Sequence, residues 1–108
     1  MTNWNTGIAV ATKDKTLIRG YDLEDLMTTC NFTQMIWLLW KGERPTKEEE
    51  AVFNTILVAS AEHGITPPSI TAARIAYSGS GQMNSAVAAG LLAIGKHHGG
   101  AIEQCARL

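Results

Sequence analysis

Residues 31–46 read NFTQMIWLLWKGERPT, and this stretch decides the fold class. Apolar residues recur at spacings of three and four from Phe32 to Leu39, which is the periodicity of one face of an α-helix. Gly42 is a typical helix stop, and Thr46 is a typical N-cap for the helix that follows. The stretch therefore predicts two helices joined by a tight turn.

The segments after Thr46 are also helical in pattern. The acidic run Glu48–Glu50 falls in a first helical turn, where the helix dipole favours negative charge. Pro67-Pro68 suits the start of a further helix, because proline is tolerated at the first helical position. Either Asn84 or Ser85 is expected to cap the next helix. The predicted helices cover residues 46–64, 68–77, 86–94 and the residues from Gly100 onwards.

The segments before residue 31 have a different texture. Gly7–Ala11 and Thr16–Tyr21 resemble short strands around a polar turn. We expect the side chain of Arg19, in a turn of this arm, to be solvated, although it could bind an anion. Asp22 is expected to cap a short helix. The predicted fold is all-α, an antiparallel helical bundle with a short extended or β-ribbon arm at its N-terminus.

Composition limits the classes of function. The chain has 108 residues, 45% of them hydrophobic and 18% charged, with a net charge of -1. This suits one compact domain and predicts neither nucleic acid nor membrane as a partner. No apolar run is long enough to cross a bilayer, and the start does not resemble a signal peptide. Cys30 and Cys105 suit reduced thiols rather than a disulfide, so we expect a cytoplasmic protein.

His98 is the strongest candidate for chemistry. It stands in His97-His98-Gly99-Gly100, where two glycines let the backbone approach a ligand closely. If a helix starts near Gly100, its free N–H groups and the imidazole can together stabilise a developing enolate or alkoxide. The same four residues also fit a loop with exposed histidines or one end of an adventitious metal site.

Two other residues and one surface have alternative interpretations. His63 before Gly64 suits either the C-terminal end of a helix or a ligand for an anionic substrate. Arg74, on an apolar helix, suits an interface or salt bridge better than a carboxylate clamp. The small residues Ala86–Gly90 allow helices to approach closely, and we expect a subunit interface there.

Several segments together resemble the citrate synthase superfamily. Arg19-Gly20-Tyr21 followed by Leu26 is similar to the family's "RGY-x-x-x-x-L" entry. The stretch from Phe32 to Thr46 is similar to its "F-x-E-v-x-x-L-L-x-G-e-l-P-t" segment. Residues 56–74 match its "DH…s-x-x-t-A-R" region, and residues 85–101 match the region that ends in "H-G-G-A". Four motifs in the family's order cover nearly the whole chain.

The detail most resembles citryl-CoA lyases and the related module of ATP-dependent citrate lyase. Residues 66–69, 88–95 and 98–103 carry this likeness. The resemblance implies an enzyme that interconverts citryl-CoA with acetyl-CoA and oxaloacetate, in the lyase or the synthase direction. It implies a coenzyme A thioester as co-substrate and no metal.

The resemblance also implies residue roles. His98 would hydrogen-bond the thioester oxygen of acetyl-CoA and stabilise its enol, whereas His63 would hold the oxaloacetate or citryl part. Gly99, Gly100 and Ala101 would contact the coenzyme A thioester. Glu62 stands where the family usually has Asp, and its longer side chain is expected to alter a contact around His63. Lys96-His97 stands where the family usually has "P-L", so the resemblance implies no role for His97.

The family's small domain supplies the remaining groups. These are another histidine, the carboxylate-binding arginines and the general-base aspartate, and none can be located here. We therefore expect residues 1–108 to be a partial large domain, inactive alone, in a homodimer whose small domain comes from a longer protein or a separate chain. The alternative is a non-catalytic helical dimerisation or regulatory module derived from the same fold. A generic helical domain with surface histidines would require the four matches to be coincidental.

Overall fold

The computed structural model describes residues 6–99 together with residues 106 and 107. In this part, three short strands precede five helices, so the predicted helical character is confirmed. The chain divides into two compact units, the first ending at Ala61 and the second starting at Glu62. The helix expected from Gly100 lies outside the described residues. Among the described helices, none is both long and apolar enough to cross a membrane.

The N-terminal arm is a small antiparallel sheet. Its strands are β1 (Ala9–Ala11), β2 (Thr16–Ile18) and β3 (Tyr21–Asp22), in the order β1-β2-β3. Leu17 of β2 lies opposite Val10 on one side and Asp22 on the other. The arm therefore has one strand more than the two-stranded ribbon that the sequence suggests.

Arg19 lies in the turn between β2 and β3. Arg19 and Gly20 both have positive φ angles, 51° and 87°, as the two central residues of a tight hairpin turn require. The Arg19 guanidinium donates to the carbonyl of Leu39 from Nη2 at 2.6 Å and from Nε at 3.3 Å. The expectation of a solvated arginine is wrong, because this side chain caps a carbonyl at a helix end.

The first unit also holds α1 (Leu23–Thr29), α2 (Phe32–Lys41) and α3 (Lys47–Ser60). As predicted, Asp22 caps α1 through the Glu24 N–H, and Thr46 caps α3 through the Glu49 N–H. Gly42 ends α2 with a left-handed φ of 87°. α3 ends at Ser60, before the predicted His63-Gly64.

α2 and α3 pack through a cluster of aromatic side chains. Polar side chains also join them, since the Glu50 carboxylate accepts hydrogen bonds from the amides of Asn31 and Gln34. The Phe53 ring lies 5.6 Å from the Trp37 ring and 5.7 Å from the Trp40 ring, centroid to centroid. Leu38 is fully buried, whereas Phe32 is 78% exposed. α2 is therefore enclosed on one side only.

The second unit is built on α4 (Pro68–Ser80) and α5 (Met83–Leu92). The two helices pack antiparallel, so that Gly90 near the end of α5 lies against Ser69 at the start of α4. Gly81, with φ 63°, ends α4, and Gln82 is the N-cap of α5 without a side-chain hydrogen bond. The expected caps Asn84 and Ser85 are wrong, because so short a connection starts the helix earlier.

Candidate active site

His63 lies in the connection between α3 and α4. Because α3 ends at Ser60, His63 is not a helix-terminal residue. The Glu62 carboxylate accepts a hydrogen bond from the Gly64 N–H at 2.6 Å, and Gly64 adopts a φ of 87°. A carboxylate that bonds the N–H two residues ahead closes a tight turn, and this turn presents the exposed His63 side chain.

His98 follows α5 on a second tight turn. The Gly95 N–H donates to the His98 carbonyl at 2.7 Å, and the His98 N–H donates to the Gly95 carbonyl at 2.9 Å. Lys96 and His97 form the exposed tip of this turn, whereas His98 is half-buried. The mutual backbone bonds hold His98 in place relative to the end of α5.

Gly99 is required by the backbone path after His98. Its φ is 88°, and a Cβ built there would lie 2.8 Å from Cγ2 of Ile94. Side chains at such a φ are strained, and this distance is also a steric clash. The glycine is therefore explained locally, and its expected contact with a coenzyme A thioester stays a prediction. Gly100 and Ala101, predicted to make the same contact, lie outside the described residues.

Three side chains from separate segments of the second unit meet at one place. His98 Nε2 lies 2.8 Å from Ser69 Oγ. The His63 and His98 rings stack with centroids 6.2 Å apart and planes inclined by 26°. Ser69 is 8% exposed and is the second residue of α4. The two predicted histidines are thus brought together, around a serine that links His98 to α4.

The Ser69 hydroxyl controls how His98 can act. A hydroxyl can donate or accept, and a neutral imidazole has one donor and one acceptor nitrogen. If Ser69 donates to Nε2, the proton of His98 sits on Nδ1, which is then free to donate to a ligand.

Sequence reasoning missed Ser69. It belongs to the motif that ends in Ala72-Ala73-Arg74, yet nothing in its neighbourhood along the chain connects it to a histidine 29 positions away. The available signal was a serine at the apolar start of a helix within a recognised motif. Only the approach of α4 to the turn after α5 shows its partner.

Arg74 and the two cysteines are the remaining candidates from the sequence. Arg74 lines an open groove of about 350 Å³ with Tyr77 and Met83. Cys30 is a free, half-buried thiol in the first unit, and Cys105 lies outside the described residues. Across residues 6–99, 106 and 107, no three His, Cys, Asp or Glu side chains are grouped so that they could hold a metal ion.

Comparison with known protein families shows which family this chain belongs to. Residues 2–55 and 43–108 match the family described as citrate synthase, C-terminal domain. Together the two matches span nearly the whole chain. The chain belongs to the citrate synthase family, which confirms the resemblance drawn from its motifs.

Two solved structures are similar to this chain over nearly its whole length. It is 48% identical to citryl-CoA lyase from Hydrogenobacter thermophilus, with a TM-score of 0.85 over 93% of this chain and 39% of that one. It is 25% identical to ATP citrate lyase from Methanothrix soehngenii, solved with citrate and coenzyme A, with a TM-score of 0.88 over 99% of this chain and 18% of that one. The predicted citrate synthase-like fold is confirmed.

A third similarity concerns a shorter segment. Over 37 residues, the chain is 54% identical to 2-methylcitrate synthase 1 from Corynebacterium glutamicum, a match that covers 34% of this chain and 10% of that protein. The chain thus spans well under half the length of each of these relatives.

Proposed function

We propose that this chain forms part of the large domain, and part of the active site, of a citryl-CoA lyase. The reaction would cleave citryl-CoA into acetyl-CoA and oxaloacetate. The observation that carries the proposal is the cluster in which His98 is hydrogen-bonded to Ser69 and stacked on His63. The 48% identity to the Hydrogenobacter thermophilus citryl-CoA lyase supports the lyase direction over the synthase direction.

The cleavage of citryl-CoA requires a hydrogen-bond donor at the thioester oxygen, and the histidine cluster could supply one. In the cleavage, the bond between the alcohol carbon and the CH₂ next to the thioester breaks, and the hydroxyl proton leaves as the ketone of oxaloacetate forms. The electron pair passes into the thioester to give an enolate, which is then protonated at carbon. Negative charge therefore develops on the thioester oxygen, where a prepositioned hydrogen-bond donor lowers the barrier.

His98 would be that donor. With the Ser69 hydroxyl donating to Nε2, the Nδ1–H of His98 is available for the thioester oxygen. The buried position of Ser69 supports this role, because a buried hydroxyl keeps its partner and so holds the ring in one orientation. A fixed donor avoids reorganisation when the charge appears.

His63 would hold the oxaloacetate or citryl part. Its turn is closed by Glu62, which stands where the family usually has Asp, and the longer side chain still reaches the Gly64 N–H. The substitution therefore keeps a local contact that orients the loop. His63 is exposed on one side, which leaves it open to a ligand beside His98.

The coenzyme A thioester is the proposed co-substrate, with Gly99, Gly100 and Ala101 on its side of His98. No metal is part of the proposed step. Removal of the hydroxyl proton needs a positioned base, and the tricarboxylate needs arginine partners. We propose that a small domain supplies both, in a longer protein or on a separate chain, so that residues 1–108 alone are inactive.

We also propose that the protein is a homodimer whose interface includes α4 and α5. Large apolar side chains on these helices are mostly exposed, among them Ile75 at 67%, Leu91 at 63% and Leu92 at 87%. Several large apolar side chains exposed on one helix pair are what a subunit interface would cover. In sedimentation experiments, Leu91→Glu should give a monomer, whereas Val58→Glu on α3 should not. A monomeric unmodified chain at micromolar concentration would overturn this proposal.

The central experiment joins this chain to the part of the Hydrogenobacter thermophilus enzyme that the structural match does not cover. The chimera should release acetyl-CoA and oxaloacetate from citryl-CoA, and His98→Ala in it should be nearly inactive. In the isolated chain, citrate should perturb the imidazole NMR signals of His63 and His98 together. A folded chimera without cleavage activity would instead favour the non-catalytic dimerisation or regulatory module.

A further inference from the structure

Gly90 of α5 lies directly behind Ser69. A Cβ built on Gly90 would lie 3.1 Å from the Ser69 carbonyl oxygen and 3.4 Å from the Ala73 Cβ. The first distance is shorter than ordinary van der Waals contact, so the Ser69 backbone would have to give by a few tenths of an ångström to admit a Cβ at this position. Gly90 is buried, and α5 approaches α4 at this level because the residue has no side chain.

The Ser69–His98 hydrogen bond joins α4 to the turn that follows α5. Ser69 is part of the first turn of α4, and its carbonyl is the group that Gly90 contacts. His98 is carried by the continuation of α5, because the Ala93 N–H bonds the Ala89 carbonyl and the Gly95–His98 turn is closed on itself. Ser69 therefore takes part in both contacts, with Gly90 through its backbone carbonyl and with His98 through its hydroxyl.

We propose that Gly90 is a positioning residue for the His98 imidazole, acting through Ser69. This inference rests on the proposed function, since it concerns the orientation of the enol-stabilising donor. The Ser69–His98 distance of 2.8 Å is close to the optimum for a bond that involves a hydroxyl. A separation of the helices by a few tenths of an ångström lengthens and weakens this bond, and the imidazole then loses its single orientation.

A matched control exists on α4. Gly79 is also a helical glycine, and a Cβ built there meets no atom within 4 Å. Gly79→Ala adds the same methyl group and the same helix propensity as Gly90→Ala, but in open space. A comparison of the two variants therefore separates the contact with Ser69 from the general effect of alanine in a helix.

The test uses the 108-residue chain and ¹⁵N NMR of its imidazole nitrogens, with circular dichroism to follow helix content. In Gly90→Ala, the Nε2 and Nδ1 shifts of His98 should move from their positions in the unmodified chain toward those in Ser69→Ala. The displacement should be larger in Gly90→Val, whereas Gly79→Ala should leave the His98 shifts unchanged. His97, at the tip of the turn, provides an internal reference in every variant.

Three outcomes would overturn the proposal. The first is a folded Gly90→Ala chain with unchanged His98 shifts. The second is a Gly90→Ala chain that fails to fold while Gly79→Ala folds, because Gly90 would then serve the fold rather than the imidazole. The third is an equal displacement when Gly90→Ala is made in a Ser69→Ala background, because the effect would then bypass Ser69.

Failure of the proposed function is seen in a different measurement. It would show as an absence of any response of His63 and His98 to citrate in the unmodified chain. The Gly90 variants are compared without ligand, so their result stands independently of that titration.

Discussion

Ser69 Oγ and His98 Nε2 lie 2.8 Å apart, which joins the first turn of α4 to the turn that follows α5. The serine is buried and the imidazole is half-buried, so the bond is shielded from competing water on the serine side. A second imidazole, that of His63, stacks on the same ring. The candidate site is therefore a supported pair of histidines rather than a single exposed one.

Removal of the Ser69 hydroxyl should free the His98 ring. We expect Ser69→Ala to cost about 1 kcal/mol of stability, the usual net value of one hydrogen bond, and to lower cleavage by the chimeric enzyme about tenfold through loss of orientation. Ser69→Thr keeps the hydroxyl and should retain more activity than Ser69→Ala. Equal activity of Ser69→Ala and the unmodified chimera would contradict a positioning role for the hydroxyl.

The two neighbouring histidines should respond very differently to substitution. His98→Ala should reduce cleavage by the chimeric enzyme roughly 10²- to 10³-fold, the usual cost of losing one donor to a developing oxyanion. His97→Ala should have little effect, because His97 lies exposed at the tip of the Gly95–His98 turn. Steady-state kinetics with citryl-CoA measure both effects. A larger loss of activity in His97→Ala than in His98→Ala would contradict the role proposed for His98.

Glu62 should matter for ligand binding through the loop that carries His63. Glu62→Ala removes the acceptor of the Gly64 N–H and should weaken the citrate-induced NMR response of His63 several-fold, whereas Glu62→Gln keeps an acceptor oxygen and should preserve most of it. The His98 shifts without citrate should change little in either variant. If Glu62→Ala bound citrate as well as the unmodified chain, the carboxylate would have no part in presenting His63.

The first unit should lose stability in acid through Glu50. Its carboxylate accepts hydrogen bonds from the side-chain amides of Asn31 and Gln34, each at 2.6 Å, and these bonds hold the pKa of Glu50 below its ordinary value of 4.5. The charged form is thus favoured by folding, so its stabilisation is complete above about pH 4.5 and is lost as the pH falls through the lowered pKa.

Urea unfolding between pH 3 and pH 6, followed by tryptophan fluorescence, measures this effect. Glu50→Gln should flatten the part of the pH dependence that Glu50 contributes, because the amide does not titrate. Glu48→Gln, on the exposed first turn of α3, is the matched control. Identical pH dependence in Glu50→Gln and the unmodified chain would rule out this source of acid sensitivity.

Arg19 should stabilise the first unit by bonding to the end of α2. Arg19→Lys removes the planar fork that donates twice to the Leu39 carbonyl, and we expect a loss of about 1 to 2 kcal/mol of unfolding free energy. Arg74→Lys, on the exposed side of α4, is the control and should be nearly neutral. A neutral Arg19→Lys would show that the backbone turn, rather than the guanidinium, holds this end of α2.

Much of the fold follows from short-range patterns. The helix stop at Gly42, the Thr46 cap and the proline start of α4 are predicted from residues within one helical turn of each boundary, because capping depends on neighbouring N–H groups and on backbone conformation. The predicted start of α5 is wrong, because Gly81 ends α4 and leaves too short a connection for a conventional side-chain cap.

By itself, the sequence determined the helical class and the family, because each is recorded in local periodicity or in ordered motifs, and it singled out His63 and His98 as candidate site residues. Tertiary structure alone decided which groups surround those histidines. Ser69 meets His98, and Arg19 meets the end of α2, across separations that no local pattern encodes. The physical reason is that such contacts depend on how closely two elements pack. At the candidate site, buried Gly90 of α5 lies against the Ser69 backbone of α4.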